Sequence, residues 1–149
     1  MGEILDAMQP FMAEYGGVGL LVVSLIGATI LPLSSEAALA AAIGLGMNTW
    51  EAFAWASIGN CIGATSNYWV GYLFSKKICR WLASKKEGEK AIERVERHGA
   101  WGLLLSWIPF IGDPLTYAAG AFRIHFAKFV AIALPVRVAR YLVIILFFL

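Results

Sequence analysis

Apolar residues form four long stretches along the chain, separated by short polar segments. Two stretches, residues 52–74 and 126–149, are continuous except for Pro135. They are long enough to cross a hydrocarbon core about 30 Å thick as single helices. The other two, residues 18–45 and 100–122, are interrupted near their middles by blocks that contain proline. This pattern predicts an all-α integral membrane protein with two crossing helices and two broken segments.

The two broken stretches share a motif. Pro32 is followed four positions later by Glu36, and Pro109 is followed four positions later by Asp113. A helix that is broken at membrane depth is tolerated only where protein or water satisfies the freed backbone groups. We therefore predict that each broken stretch is a re-entrant helical hairpin with its tip near the middle of the membrane. The predicted tip residues are Pro32, Pro109, Gly112 and Pro114.

The order of these segments predicts an inverted-topology repeat within a single membrane domain. A re-entrant hairpin enters and leaves on one face, whereas the crossing helix that follows it changes sides. The second repeat (residues 99–149) must then start from the face opposite to that of the first (residues 17–74), as in many transporters. The alternative is a pair of ordinary helices that are kinked by proline.

The remaining segments predict how the chain meets the membrane surface. Residues 1–16 have apolar positions at helical spacing and three acidic residues but no basic residue. They are typical of an amphipathic surface helix and not of a signal peptide. Residues 75–98 carry eight basic and four acidic residues, which predicts a basic cytoplasmic loop.

Composition excludes most soluble classes of protein. Apolar residues make up 60% of the chain and charged residues 15%, whereas soluble proteins have roughly 45–50% and 25%. A cytosolic enzyme, a secreted disulfide scaffold and a nucleic-acid binder are therefore excluded. The two cysteines form no metal-binding or disulfide motif, and neither histidine has a ligand partner at helical spacing. We expect no metal and no cofactor.

Four ionisable residues stand out within the apolar segments: Glu36, Asp113, Arg137 and Arg140. Each such group at membrane depth costs about 2.5–3.5 kcal/mol or more, so all four are candidates for function. Arg137 and Arg140 are three positions apart on one predicted helix and share a face, which Tyr141 joins. One interpretation is that acids and arginines form salt bridges that only hold the hairpins together. The other is a polar cavity in which the arginines accept an anionic group while Glu36 and Asp113 exchange protons.

Further polar residues would line such a cavity and contact a headgroup. They are Ser34, Ser35, Asn60, Asn67 and Tyr141. For the two asparagines, a structural hydrogen bond and a ligand contact are equally consistent with the sequence. The glycines on the same segment, Gly59, Gly63 and Gly71, indicate close helix packing.

Several blocks resemble those of the DedA (VTT-domain) membrane proteins, specifically their short YqaA-like branch. The resemblance covers about residues 24–142. It is carried by GATILPLSSE (residues 27–36), GNCIG (59–63), RHGA (97–100), LLLSWIPFIGDPL (103–115), AG (119–120) and ARY (139–141).

This resemblance implies a two-hairpin inverted repeat in the bacterial cytoplasmic (inner) membrane. Better-studied relatives are linked to the movement of polyprenyl phosphates or phospholipids between leaflets, some with dependence on the proton gradient. The essential acid of the family falls on Glu36. Longer DedA proteins carry arginines around the second proline block, where this chain has Ser106 and Gly112. Arg137 and Arg140 are therefore candidates on spacing alone.

The leading hypothesis is a membrane lipid translocase, a flippase or scramblase for a lipid with an anionic headgroup, and not an enzyme. Its partners would be membrane lipids, and its apolar surface would allow a homodimer. The alternatives are a proton- or cation-coupled transporter of a small solute, an intramembrane enzyme that uses Glu36 and Asp113 as acid and base, and an assembly protein whose polar cluster is structural.

Overall fold

The computed structural model describes residues 2–29, 34–108 and 111–147, with the side chains of all of these except 2–9, 11–13, 29 and 34. The described residues form helices and turns without any strand, which confirms the all-α class. The helices are α1 (Gly2–Thr29), α2 (Ser34–Gly44), α3 (Thr49–Leu73), α4 (Ser75–Ala83), α5 (Lys86–His98), a 3₁₀ helix (Gly99–Trp107), α6 (Gly112–Ala121) and α7 (Phe126–Leu146).

The N-terminal helix is interrupted at Gly16. This residue has φ 54° and ψ −128°, a left-handed backbone that glycine adopts without the steric cost of a Cβ. The interruption divides α1 into a first part and a second part that packs against α2. The break lies where the sequence places the boundary between the amphipathic segment and the first repeat.

Among the described residues, one helix is both long enough and apolar enough to cross a membrane, and this is α7. The predicted crossing at residues 52–74 is helical, as α3, and is longer than α7. Polar residues such as Asn60, Ser66 and Asn67 lower the mean hydropathy of α3. Its composition alone therefore does not identify α3 as a membrane-spanning helix.

The segment at residues 75–98, which the sequence predicts to be a basic cytoplasmic loop between the two repeats, is helical. It forms α4 and α5, each with apolar or small residues that recur on one face. Leu82 of α4 and Ala91 and Val95 of α5 are buried, while the charged residues remain exposed. An amphipathic pattern at helical spacing stabilises both helices by burying that face.

The chain divides into two compact units, which we call the N-terminal unit (residues 1–63 and 138–149) and the central unit (residues 64–137). In the N-terminal unit, α1 and α2 pack against each other. Its apolar core combines residues of both helices with the first part of α3 and the last part of α7: Leu20, Val23, Ala38, Leu39, Ala42, Ala52, Ala56, Tyr141 and Ile145.

In the central unit, the 3₁₀ helix and α6 form a second helical pair, on which α5 packs. Nine residues of 3₁₀ helix extend about 18 Å, whereas the same residues would extend about 14 Å as an α-helix. α4 also packs against α6. The core of this unit includes Tyr68, Leu82, Val95, Leu103, Leu115 and Phe129.

Glycine brings the helices of each unit close together. A Cβ on Gly71 of α3 would overlap the backbone oxygen of Tyr117 on α6, and a Cβ on Gly120 would overlap that of Tyr68. In the N-terminal unit, a Cβ on Gly59 would likewise overlap the backbone oxygen of Leu21. The small residues of α3 therefore serve helix packing, as their spacing predicts.

Candidate functional site

Glu36 forms an ion pair with Arg140 in the N-terminal unit. Glu36 is in the first turn of α2, and its Oε1 lies 3.1 Å from Nη1 of Arg140 on α7. The side chains are 19% and 11% exposed, so this pair is mostly but not wholly removed from solvent. Arg140 also lies over the ring of its neighbour Tyr141, at 5.7 Å from the ring centroid.

Asp113 forms the corresponding ion pair with Arg137 in the central unit. Asp113 is the second residue of α6, and its Oδ1 accepts a 2.7 Å hydrogen bond from Nη2 of Arg137. The arginine side chain is only 1% exposed. The Thr116 hydroxyl donates a 2.7 Å hydrogen bond to the backbone oxygen of Asp113, which helps to hold the first turn of α6.

The two pairs have the same local design. Each acid lies in the first turn of the helix that follows a proline block, where the positive end of the helix dipole stabilises a carboxylate. Each arginine lies on α7. The positive and negative charges balance within each pair, because one carboxylate meets one guanidinium. These contacts are the salt bridges of the first interpretation, and they place a carboxylate beside each arginine.

The start of α6 packs tightly against the end of the preceding 3₁₀ helix. A Cβ on Gly112 would lie 2.6 Å from the backbone oxygen of Ser106, a distance that real side chains do not show. Pro114 lies in the first turn of α6, where its missing N–H removes no helical hydrogen bond. Pro32, Pro109 and the side chain of Ser34, which we also predicted to be functional, lie outside the described residues.

The other predicted headgroup residues are buried. Ser35 and Asn60 are buried in the N-terminal unit, where Tyr141 is fully enclosed. Asn67 is buried in the central unit. A buried amide needs hydrogen-bond partners, so both asparagines are held in polar surroundings within otherwise apolar helices.

Three buried hydroxyl groups were not singled out from the sequence as site residues. Ser24, Ser57 and Ser106 are buried, and within the described residues their Oγ atoms make no hydrogen bond. The Nε of Arg140 is also buried without a hydrogen bond there. A buried polar atom without a partner costs about 1–3 kcal/mol, which makes these atoms candidates for ligand or water contacts. Single serines are common in apolar helices, so the sequence gives no signal for Ser24 or Ser57, whereas Ser106 stands three residues before Pro109 in the second proline block.

The described residues contain no group of three histidine, cysteine, aspartate or glutamate side chains that could hold a metal ion. Cys61 and Cys79 are free thiols.

The chain is similar to known bacterial membrane proteins. A family model described as the VTT domain matches residues 31–148. The inner membrane protein YqaA of Escherichia coli strain K12 is 34% identical over 123 residues, which cover 81% of this chain and 82% of that protein. The inner membrane protein YqaA of Shigella flexneri matches with the same identity and coverage. No solved structure matches the chain significantly.

Proposed function

This chain belongs to the VTT-domain (DedA) family and is a bacterial inner membrane protein, and from that premise we propose that it translocates lipids with an anionic headgroup between leaflets. The observation that carries the proposal is the pairing of Glu36 with Arg140 and of Asp113 with Arg137. Each unit thereby offers a guanidinium that already holds a carboxylate.

A phosphate can replace a carboxylate on arginine. The planar guanidinium binds both anions with the same fork of N–H donors. When Glu36 or Asp113 takes up a proton, it no longer neutralises its arginine, and the arginine then favours an anionic headgroup. When the headgroup leaves, the acid loses its proton and the ion pair forms again. Proton exchange at each acid would in this way be coupled to headgroup binding in the same unit.

We propose that the helices on either side of each proline block are re-entrant hairpins of an inverted-topology repeat. The contacts of α1 with α2 and of the 3₁₀ helix with α6 support this proposal, because the two helices of a hairpin must pack against each other. The equivalent positions of Glu36 and Asp113 in the two hairpins support it as well. A path formed in this way would admit a headgroup while the acyl or prenyl tails remain in the lipid.

The buried polar residues of each unit would complete the headgroup contacts. Ser35, Asn60 and Tyr141 would serve in the N-terminal unit, together with Ser34, and Asn67 would serve in the central unit. Such residues are expensive at membrane depth unless they are paired, which favours a role beyond packing. The relatives are named as inner membrane proteins without an enzymatic name, and we propose that this chain is likewise not an enzyme. A homodimer would cover part of its apolar surface.

A second candidate function is coupled transport of a small solute. It is favoured by the near-complete burial of Arg137, because an enclosed cation is suited to holding a small anion away from water. Such a transporter would be saturated by a soluble substrate and would be insensitive to lipid composition.

The test is headgroup translocation in proteoliposomes that contain a labelled polyprenyl phosphate or a labelled phospholipid. We expect translocation that depends on the protein, and the lipid that moves faster identifies the substrate class. Vesicles with heat-inactivated protein control for leakage. If folded protein moves neither lipid above empty vesicles, the proposal is wrong, and saturable uptake of a soluble anion would then favour the second candidate.

A further inference from the structure

Two neighbouring cavities along α5 share Lys90 and Glu93 but differ in charge. In one of them, three glutamates outnumber two lysines. The other has a volume of about 500 Å³ and is lined mainly by cations.

The basic cavity lies between α5 and the start of α6. Its lining residues are Lys90, Glu93, Arg94, Arg97, His98 and Ile111. Three permanently cationic side chains therefore face a single carboxylate, and His98 adds further donor capacity. Glu93 is 3.5 Å from Arg97, and both of these side chains are largely exposed.

The helix dipole does not account for all of these cations. Arg97 and His98 are in the last turn of α5, where cations stabilise the negative end of the dipole. Arg94 and Lys90 are one and two turns earlier, beyond the reach of that effect. Within the described residues, neither of them has a carboxylate within ion-pair distance.

The backbone that carries the lining residues of this cavity is fixed by the packing of α5. Ala91 and Val95 of α5 are buried in the core of the central unit. Gly99, with φ 55°, ends α5 and turns the chain back, and a Cβ on Gly102 would lie 2.9 Å from the backbone oxygen of Arg94. The backbone that carries Arg94 is therefore held against the 3₁₀ helix, and Ile111 forms an apolar wall.

We propose that this cavity is a binding site for a phosphate group. Clustered lysine and arginine side chains in a concave site bind phosphate oxygens through charge-assisted hydrogen bonds. The apolar wall at Ile111 would exclude water from one side of the anion. The phosphate could belong to a lipid headgroup or be free in solution. This site is separate from the ion pairs of the proposed translocation path, and its occupancy does not depend on translocation.

The experiment measures phosphate binding to full-length protein in an uncharged detergent. Calorimetric titration with inorganic phosphate forms one arm, and native mass spectrometry of retained phosphatidylglycerol forms the other. The test variant is Lys90→Gln with Arg94→Gln. The matched control is Lys76→Gln with Lys77→Gln, which removes two exposed positive charges from α4, outside the cavity. All four side chains are exposed, so both variants should fold, as circular dichroism will check.

We expect the test variant to weaken phosphate binding by about tenfold or more, while the control stays within about twofold. Saturable binding of inorganic phosphate identifies free phosphate as a sufficient ligand. Retention of lipid without phosphate binding identifies a headgroup. The proposal is overturned if wild type binds neither, or if both variants weaken binding equally, because the effect is then one of general surface charge.

Discussion

Arg137 and Asp113 lie 24 residues apart in the chain, and they are joined by a 2.7 Å hydrogen bond in which the arginine is almost wholly buried. The contact connects α7 to the first turn of α6 within the central unit. Arg140 and Glu36 make the related contact in the N-terminal unit, but it is longer, at 3.1 Å, and more exposed. The difference in burial between the two pairs leads to a direct expectation about stability.

Asp113→Asn should be more destabilising than Glu36→Gln. Removing the acid takes the carboxylate partner away from the buried Arg137, and breaking a buried ion pair costs about 3–5 kcal/mol in comparable sites. Arg140 is partly solvated, so its loss of Glu36 should cost less. Thermal unfolding in detergent, followed by circular dichroism, measures both. An equal or smaller loss for Asp113→Asn would contradict the assigned burial.

The pair should also show energetic coupling. Combining Asp113→Asn with Arg137→Gln also removes the buried cation that the single variant deprives of its carboxylate partner. We therefore expect the double variant to be more stable than the sum of the two single losses predicts, with a coupling energy of about 0.5–3 kcal/mol. A double-mutant cycle measures this energy, and simple additivity would show that the two side chains do not interact.

Gly112→Ala should destabilise the start of α6. The added methyl group would meet the backbone oxygen of Ser106 at 2.6 Å, and backbone cannot move aside as a flexible side chain can. We expect a loss of about 1–3 kcal/mol, typical of overpacking. Gly44→Ala is the matched control, because a Cβ at Gly44 meets nothing within 4 Å. Similar effects of the two substitutions on unfolding would count against the close approach.

Tyr68→Phe should destabilise the central unit by about 1 kcal/mol, the typical value of one hydrogen bond. The Tyr68 hydroxyl donates a 2.6 Å hydrogen bond to the backbone oxygen of Ile124, in the turn before α7. Tyr72→Phe is the control, since the Tyr72 hydroxyl makes no hydrogen bond within the described part of the chain. Chemical denaturation measures the free energy of unfolding of both variants. A Tyr68→Phe variant as stable as Tyr72→Phe, or more stable, would contradict the hydrogen bond to Ile124.

The sequence picks out the four ionisable residues as a group that could form ion pairs, but it does not show which acid meets which arginine. Charges are rare in apolar segments, so Glu36, Asp113, Arg137 and Arg140 could be selected by composition. Arg137 and Arg140 are only one turn apart, and either could face either acid as far as spacing shows. The choice depends on tertiary packing, which a single sequence does not contain.

Residues 75–98 show a different limit. Their high charge density predicts a segment outside the membrane but does not show that it is helical. Small and apolar residues nevertheless recur there at helical spacing and are buried in α4 and α5. The 3₁₀ helix was also not predicted, because a period of three residues differs too little from 3.6 over a nine-residue segment. The kink at Gly16, in contrast, coincides with a change in sequence pattern that was visible beforehand.

The central claim is that proton exchange at Glu36 is coupled to headgroup movement. The most direct measurement is translocation of labelled polyprenyl phosphate and phospholipid by wild type and by Glu36→Gln, with and without a pH gradient. Glu51→Gln, which neutralises an exposed carboxylate on α3, is the control. We predict that Glu36→Gln abolishes translocation while Glu51→Gln preserves it. Equal translocation by folded wild type and Glu36→Gln would contradict a coupling between Glu36 and headgroup movement.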